Sequence, residues 1–290
     1  MDVEVFTLNA FSSEPNGGNP AGVVFGGDTL KPNEMQEIAR LVGFSETAFV
    51  QKSKVADYKV SYFTPNAEVD LCGHATIATF YLMLLQKKIG YGVFKIETGA
   101  GVLEITAEEG NRIFLSQALP VFSDQPDRNE IADSLNIPIS MLDEKLPVEV
   151  VSTGLRDIFV PIKNQDTLNR LVPDFKKIAQ VSQKYKTIGY HLFTLDAEQG
   201  VTAYCRNFAP LYDIPEESAT GTSNGALTCY LHKYKKIANP SVQPYILRQG
   251  DSMNRPSTIF TKIKWSGDHI QKIEAGGTAS NIQKRLLSLS

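Results

Sequence analysis

The chain has 290 residues, 42% of them hydrophobic and 21% charged, with a formal net charge of −3. That length suits about two domains with cores of their own, and Lys and Arg are too scattered for a nucleic-acid footprint or a polybasic membrane patch. Three cysteines, Cys72, Cys205 and Cys229, without CxxC spacing, argue for a reducing compartment rather than a disulfide framework.

The opening MDVEVFTLNAF has acids and no basic n-region, so it does not read as a signal peptide. The longest apolar run, 75–85, is shorter than the ~18 residues that a membrane span requires. The expected location is cytoplasmic.

In chain order, 3–10 and 21–25 read as strands flanking a polar, glycine-rich loop at 12–20. Pro32 suits the first turn of a helix that runs to Val42, with Met35, Ile38, Ala39 and Val42 on one face and Gly43 as its stop. Strand patterns follow at 46–50, 55–63, 93–98, 103–107 and 113–116. Residues 117–127, with two prolines, form the best linker. Polar helices are expected within 129–142 and 168–185, and strands at 148–152, 157–161, 190–196, 201–207, 242–249, 257–265 and 269–274.

An internal repeat stands out. Phe63-Thr64-Pro65 precedes Leu71-Cys72-Gly73-His74-Ala75-Thr76, and Phe208-Ala209-Pro210 precedes Ala219-Thr220-Gly221-Thr222-Ser223. The prolines are 145 residues apart and the glycines 148, half the chain, as duplication of a βα unit would give.

The helix after Gly73 has no polar face, and the helix after Gly221 is similar. Helices of this kind are surrounded by protein. Their small-residue starts present backbone N–H groups and a partial positive charge, a ready seat for a carboxylate. Two such ends suggest one anionic substrate clamped between two lobes. Taken singly, each is an ordinary well-capped helix; the pairing, with His74 directly after Gly73, favours a site.

Glu46 lies in Gly43-Phe44-Ser45-Glu46-Thr47-Ala48-Phe49, a neutral to apolar stretch. A carboxylate that loses solvation there suits taking and returning a proton, although a strand-end Glu facing water fits the same letters. His74 suits hydrogen bonding to a substrate or proton shuttling. Glu216-Glu217 before the second helix reads either as acid/base machinery or as solvated acids complementing a helix dipole. His191, His232 and His269 lack companions at metal spacing, so no metal or cofactor is expected. There is no GxGxxG, P-loop or GxSxG.

Several segments together resemble the PhzF (phenazine-biosynthesis-protein-like) family. They are Asn9-Ala10-Phe11, Gly18-Asn19-Pro20-Ala21-Gly22-Val23, Gly43-Phe44-Ser45-Glu46-Thr47, Glu68 through Thr76, Ile214 through Gly221, Gln249-Gly250 and Gly276-Gly277-Thr278-Ala279. The resemblance implies an α+β, diaminopimelate-epimerase-like fold: two similar lobes, each a curled mixed β-sheet wrapped around a central buried α-helix. The expected lobes are 1–118, to which 279–290 can return, and 119–278. The family's founding activity is cofactor-independent isomerisation of a dihydro-hydroxyanthranilate, and members often pair as homodimers.

By the same resemblance Glu46 is the acid/base, and Asn19, Gly73, His74, Glu217, Gly221 and Thr222 contact the substrate. Two positions depart from the family pattern Glu-Asp-Pro-Ala-Thr-Gly-Ser: Glu217 replaces its Asp and Thr222 its Ser, which alters the pocket's shape. Related racemases use one thiol at each helix start. This chain keeps Cys72 but has Thr220 at the second position. The leading expectation is therefore an isomerase of a small carboxylate. A racemase using Cys72 and a non-catalytic small-acid binder are its rivals.

Overall fold

Alternating runs of β-branched and aromatic residues supply the strands of both halves, and the two nearly featureless apolar stretches become interior helices. The computed structural model describes residues 1–237, 243–267 and 269–289. It divides into two units, Met1–Ser116 with Gly276–Ser290, and Gln117–Ala275.

In the first unit, β1 (Asp2–Ala10) and β2 (Asn19–Phe25) lead into α1 (Pro32–Val42). Next come β3 (Thr47–Gln51), β4 (Tyr58–Phe63), the short β5 (Glu68–Val69) and α2 (Gly73–Leu85), then β6 (Gly92–Thr98), β7 (Gly101–Glu108) and β8 (Arg112–Ser116). Strands β2 and β3 pair in parallel across the α1 crossover, and β4 and β6 in parallel across α2. The β1–β2, β3–β4, β6–β7 and β7–β8 pairs are antiparallel. A final strand, Ala279–Ser288, returns to pair antiparallel with β1.

Helix α2 packs against β1, β2, β3, β7, β8 and the final strand. Ile77, Ala78 and Phe80 are completely buried; a side chain the size of Ile77 or Phe80 contributes about 2 kcal/mol by leaving water. Helix α1 covers another face, with Met35, Ile38, Ala39 and Val42 against Val5, Val24, Phe49 and Phe63. Gly43 caps it in the left-handed region, where a side chain would be strained.

The second unit runs through β9 (Val121–Phe122), α3 (Arg128–Ser134), β10 (Glu149–Ser152), β11 (Arg156–Pro161), α4 (Gln165–Arg170) and α5 (Phe175–Tyr185). It continues with β12 (Gly189–Thr194), β13 (Ala203–Ala209), β14 (Ile214–Glu217), α6 (Gly221–Lys233), β15 (Tyr245–Gln249), β16 (Ser257–Ser266) and β17 (His269–Gly277). The pairing pattern of the first unit recurs: β11 and β12 are parallel, β12 and β13 antiparallel, and β13 and β15 parallel across α6. Helix α6 is buried from Ser223 to His232 and packs on β10 and β16. Each unit is a mixed sheet with helices, and no helix among the described residues is long and apolar enough to cross a membrane.

Several boundaries differ from the sequence reading for local reasons. Strand β2 starts at Asn19, inside the expected loop. Pro20 is tolerated because the pairing with β3 begins only at Gly22. Strand β3 starts at Thr47, one residue after Glu46, and β4 starts at Tyr58. The helix expected within 168–185 is two, α4 and α5, separated at Pro173, which cannot donate to a helix interior. The helix within 129–142 stops at Ser134, before Asn136 in the left-handed region and Pro138. Strand β9 lies within the expected linker. Val242, expected in the strand that ends at Gln249, lies outside the described residues.

Candidate active site

Glu46 sits between Gly43, which stops α1, and β3. Its backbone carbonyl accepts a hydrogen bond from Gly22 N at 3.1 Å. That approach needs glycine: a Cβ on Gly22 would lie 2.6 Å from Thr47 Oγ1. The parallel register of β2 and β3 thus fixes where the Glu46 side chain leaves the backbone. Its Oε2 reaches His74 Nε2 at 3.3 Å, with the carboxylate side chain 21% exposed and the imidazole 7%. The acid therefore has a basic neighbour that its own sequence surroundings do not contain.

His74 is the second residue of α2, and every edge of its ring is occupied. Nδ1 lies 3.3 Å from Asn19 Nδ2 and 3.4 Å from Cys72 Sγ. Nε2 lies 3.4 Å from Ser45 Oγ, and the Pro20 carbonyl also accepts a hydrogen bond from the ring. Burial lowers the imidazole's pKa below its ordinary value, while the Glu46 charge and the Pro20 carbonyl pull the other way. The balance favours a neutral ring, a hydrogen-bonding partner rather than a fixed cation.

Cys72 is the N-cap of α2 but makes no side-chain cap. The first intrahelical bond runs from Thr76 N to Cys72 O at 3.0 Å, which leaves the amides of Gly73, His74 and Ala75 without an intrahelical acceptor. Thr76 Oγ1 also donates to Cys72 O at 2.7 Å and meets Tyr62 Oη at 2.6 Å, anchoring the helix start to β4. A Cβ built on Gly73 would meet nothing within 4 Å, so there is space beside this end. Glu46, Asn19, Gly73 and His74 thus come together in the first unit, joined by Cys72 and by Ser45, which sequence reasoning did not single out despite its place directly before Glu46.

The second unit carries the corresponding helix start. Thr220 is the N-cap of α6, and Gly221 and Thr222 are its first two residues. Glu217 Oε2 accepts from Thr220 Oγ1 at 2.6 Å. Gln249, fully buried, donates to Glu217 O at 2.7 Å and accepts from Asn224 Nδ2 at 2.8 Å and from Thr220 N at 3.2 Å. Gln117 donates to Gly221 O at 3.0 Å. Gln117 and Gln249 order this end of α6, and neither was singled out for that role from sequence.

The neighbouring Glu216 does something else. Arg206 donates to both of its carboxylate oxygens at 2.8 Å and to the Leu168 and Leu171 carbonyls at 3.0 Å. Glu216 is thereby committed to a buried, bidentate ion pair, and of the two adjacent acids Glu217 is the one at the helix start.

Register identifies the second unit's counterpart of Glu46. Thr47 pairs with Phe63 and Tyr190 with Phe208, and the two phenylalanines are equivalent positions of the repeat. The residue before Thr47 is Glu46, and the residue before Tyr190 is Gly189. A Cβ there would lie 1.8 Å from the Phe208 carbonyl oxygen, so the fold leaves no room for an acid. Where the first unit has Glu46, Cys72 and His74, the second has Gly189, Thr220 and Thr222.

Residues 8–285 match the phenazine biosynthesis-like protein family, PhzC-PhzF. An uncharacterized isomerase of Bacillus subtilis, YfhB, is 34% identical, with 99% of each chain covered. The trans-2,3-dihydro-3-hydroxyanthranilate isomerase of Pseudomonas fluorescens is 28% identical over 93% of this chain and 94% of that one. A crystal structure of a PhzF-family phenazine biosynthesis protein from Bacillus anthracis has a TM-score of 0.90 at 31% identity, with both chains fully covered.

Proposed function

The chain belongs to the phenazine biosynthesis-like (PhzF) family and is an isomerase, and from that premise we propose that it moves a proton within a small carboxylate substrate, with Glu46 as its one acid/base. The observation that carries the reading is the Glu46 Oε2 to His74 Nε2 approach of 3.3 Å at the start of a buried helix.

The cycle closes on the protein's own groups. The Glu46 carboxylate takes a proton from an acidified C–H, and the electron pair of that bond spreads into the adjacent conjugated system. The resulting carboxylic acid returns the proton to another carbon on the same face, which restores the carboxylate. Atoms and charge balance without an electron acceptor. His74, held by Asn19 and Ser45, orients the carboxylate and hydrogen-bonds polar substituents of the substrate.

The amides of Gly73 and His74 stabilise negative charge that develops during transfer, as helix-start donors do. The second unit's helix start, Gly221 with Thr222 and Glu217, is an anion-binding end of the same kind. A dihydro-hydroxyanthranilate, the substrate class in the name of the Pseudomonas relative, is the first compound to try.

Cys72 Sγ, 3.4 Å from His74 Nδ1, favours a second reading, a racemase in which that thiol is one of two bases. Thr220 at the equivalent position of the second unit has no acid/base chemistry to match it, so the single-carboxylate reading is preferred.

The test is deuterium uptake by candidate carboxylates in heavy water, with wild type beside Glu46→Gln. Uptake by wild type and a drop of about 10²–10⁴ in the variant are expected, the scale of a lost general acid/base. Equal uptake by both proteins would remove Glu46 from the chemistry.

A further inference from the structure

Three side chains of different chemistry converge in the first unit. The ligand atoms of Glu46, Cys72 and His74 all lie within 4.8 Å of one another, and among the described residues this is the one such cluster of His, Cys, Asp and Glu. Thiolate, imidazole and carboxylate are all zinc donors, and three protein ligands with an open fourth position make a three-ligand tetrahedral zinc site. Sulfur and nitrogen together select zinc-like ions over magnesium or calcium.

The spacing fits as well as the donor types. With Zn–S at about 2.3 Å and Zn–N and Zn–O at about 2.0–2.2 Å, a tetrahedral ion needs edges of about 3.6 Å between S and N and about 3.4 Å between N and O. Cys72 Sγ lies 3.8 Å from His74 Nε2, and that nitrogen lies 3.3 Å from Glu46 Oε2. Both are within the roughly 0.2 Å tolerance for such a site. The opposite ring edge, Nδ1, is held by Asn19, the kind of outer contact that orients a metal-binding imidazole.

We propose that Glu46, Cys72 and His74 form a zinc-binding site whose occupation stops proton transfer. Binding displaces the thiol proton of Cys72 to solvent and places a zinc–sulfur bond in its stead. It also engages the Glu46 oxygen that would otherwise take the substrate's proton. The switch rests on the reading of Glu46 as the acid/base; the binding site does not. Removal of the ion restores both groups, so the inhibition is reversible.

Equilibrium dialysis of the full chain against zinc, and titration with cobalt, test binding without any substrate. One ion per chain is expected, with a sulfur-to-cobalt charge-transfer band in the near ultraviolet. Cys72→Ser should abolish the band, and Glu46→Gln should weaken zinc binding by more than the roughly 10–100-fold that loss of an outer-shell partner costs. Asn19→Ala should fall within that range. Urea melts of each variant without metal show whether the first unit remains folded. No bound zinc, or a cobalt band that survives Cys72→Ser, overturns the site.

In the second arm, deuterium exchange is followed with zinc and then with a chelator. Loss and recovery of exchange support the switch, and exchange unchanged by bound zinc overturns it. A metal-free protein that exchanges nothing counts against the proposed isomerisation, while dialysis and cobalt spectra still decide the site.

Discussion

Gly189 holds in the second unit the strand position that Glu46 holds in the first, one residue before the partner of an equivalent phenylalanine. The two halves share a topology but not a complement of proton-carrying groups. A duplicated scaffold with acid/base groups in both halves suits inversion by two bases, one for each face of a carbon. With Glu46, Cys72 and His74 in one half and Gly189, Thr220 and Thr222 in the other, the chain suits proton return on one face.

Replacement of Cys72 separates the single-carboxylate reading from the thiol reading. Cys72→Ser should lower deuterium uptake by at most about tenfold, far less than the 10²–10⁴ typical of a lost acid/base. A loss as large as that of Glu46→Gln would make the thiol a base in its own right. Rates of both variants on one substrate decide this.

The two adjacent glutamates should behave differently. In Glu216→Gln, Arg206, with a side chain only 8% exposed, loses its counter-charge; removing one member of such a buried pair costs about 3–5 kcal/mol. Glu217 accepts one printed side-chain bond, from the Thr220 hydroxyl, which an amide oxygen can also accept. Glu217→Gln should therefore cost only about 1 kcal/mol. Urea unfolding of the two variants checks the ranking.

Gly189→Ala should be among the most damaging single-methyl additions in the chain. Its Cβ would sit 1.8 Å from a backbone oxygen of β13, and backbone cannot swing aside as a side chain can. Overpacking typically costs 1–3 kcal/mol, and here about 3 kcal/mol or more is expected. Thermal or urea unfolding near wild-type values would mean that the β12–β13 approach is looser than described.

His191 should make the protein acid-sensitive. Burial holds its pKa at about 3 against an ordinary 6.5, with the Asn224 side chain pulling weakly the other way. Its folded value is depressed, so the unfolded chain takes up a proton that the folded chain refuses. Stability is full above pH 6.5 and declines as pH falls towards 3, by about 1.4 kcal/mol per unit. Asp157 opposes this, because burial raises its carboxyl pKa and folding then favours its protonated form as pH falls. Comparison with His191→Gln cancels the shared contributions. Between pH 7.5 and 5.5 wild type should lose about 1 kcal/mol more than the variant. Parallel urea-derived stabilities would assign the acid sensitivity elsewhere.

Much of this was legible in the letters. The Phe-x-Pro pair sits at the ends of β4 and β13, and the two all-apolar stretches are the interior helices, because strands that end on the same turn and helices without a polar side leave few other solutions. The Glu46–His74 contact was not legible: it joins residues 28 apart through the parallel register of β2 and β3, which nothing local encodes. The division of labour between Glu216 and Glu217 follows from successive strand residues facing opposite ways, but only once β14 is known to be a strand. Gly189 has no side chain to draw notice. Its meaning lies in what the neighbouring strand forbids.

The strand Ala279–Ser288 closes onto β1, with Asp2 opposite Ser288. On a ribosome, residues 117–275 therefore leave the exit tunnel as an uninterrupted unit, while the first 116 wait for their last partner with the edge of β1 unpaired. The later half of the sequence can finish folding first. Removing 279–290 should strip hydrogen-exchange protection from β1 and α2 while leaving that of α6 and β13 in place.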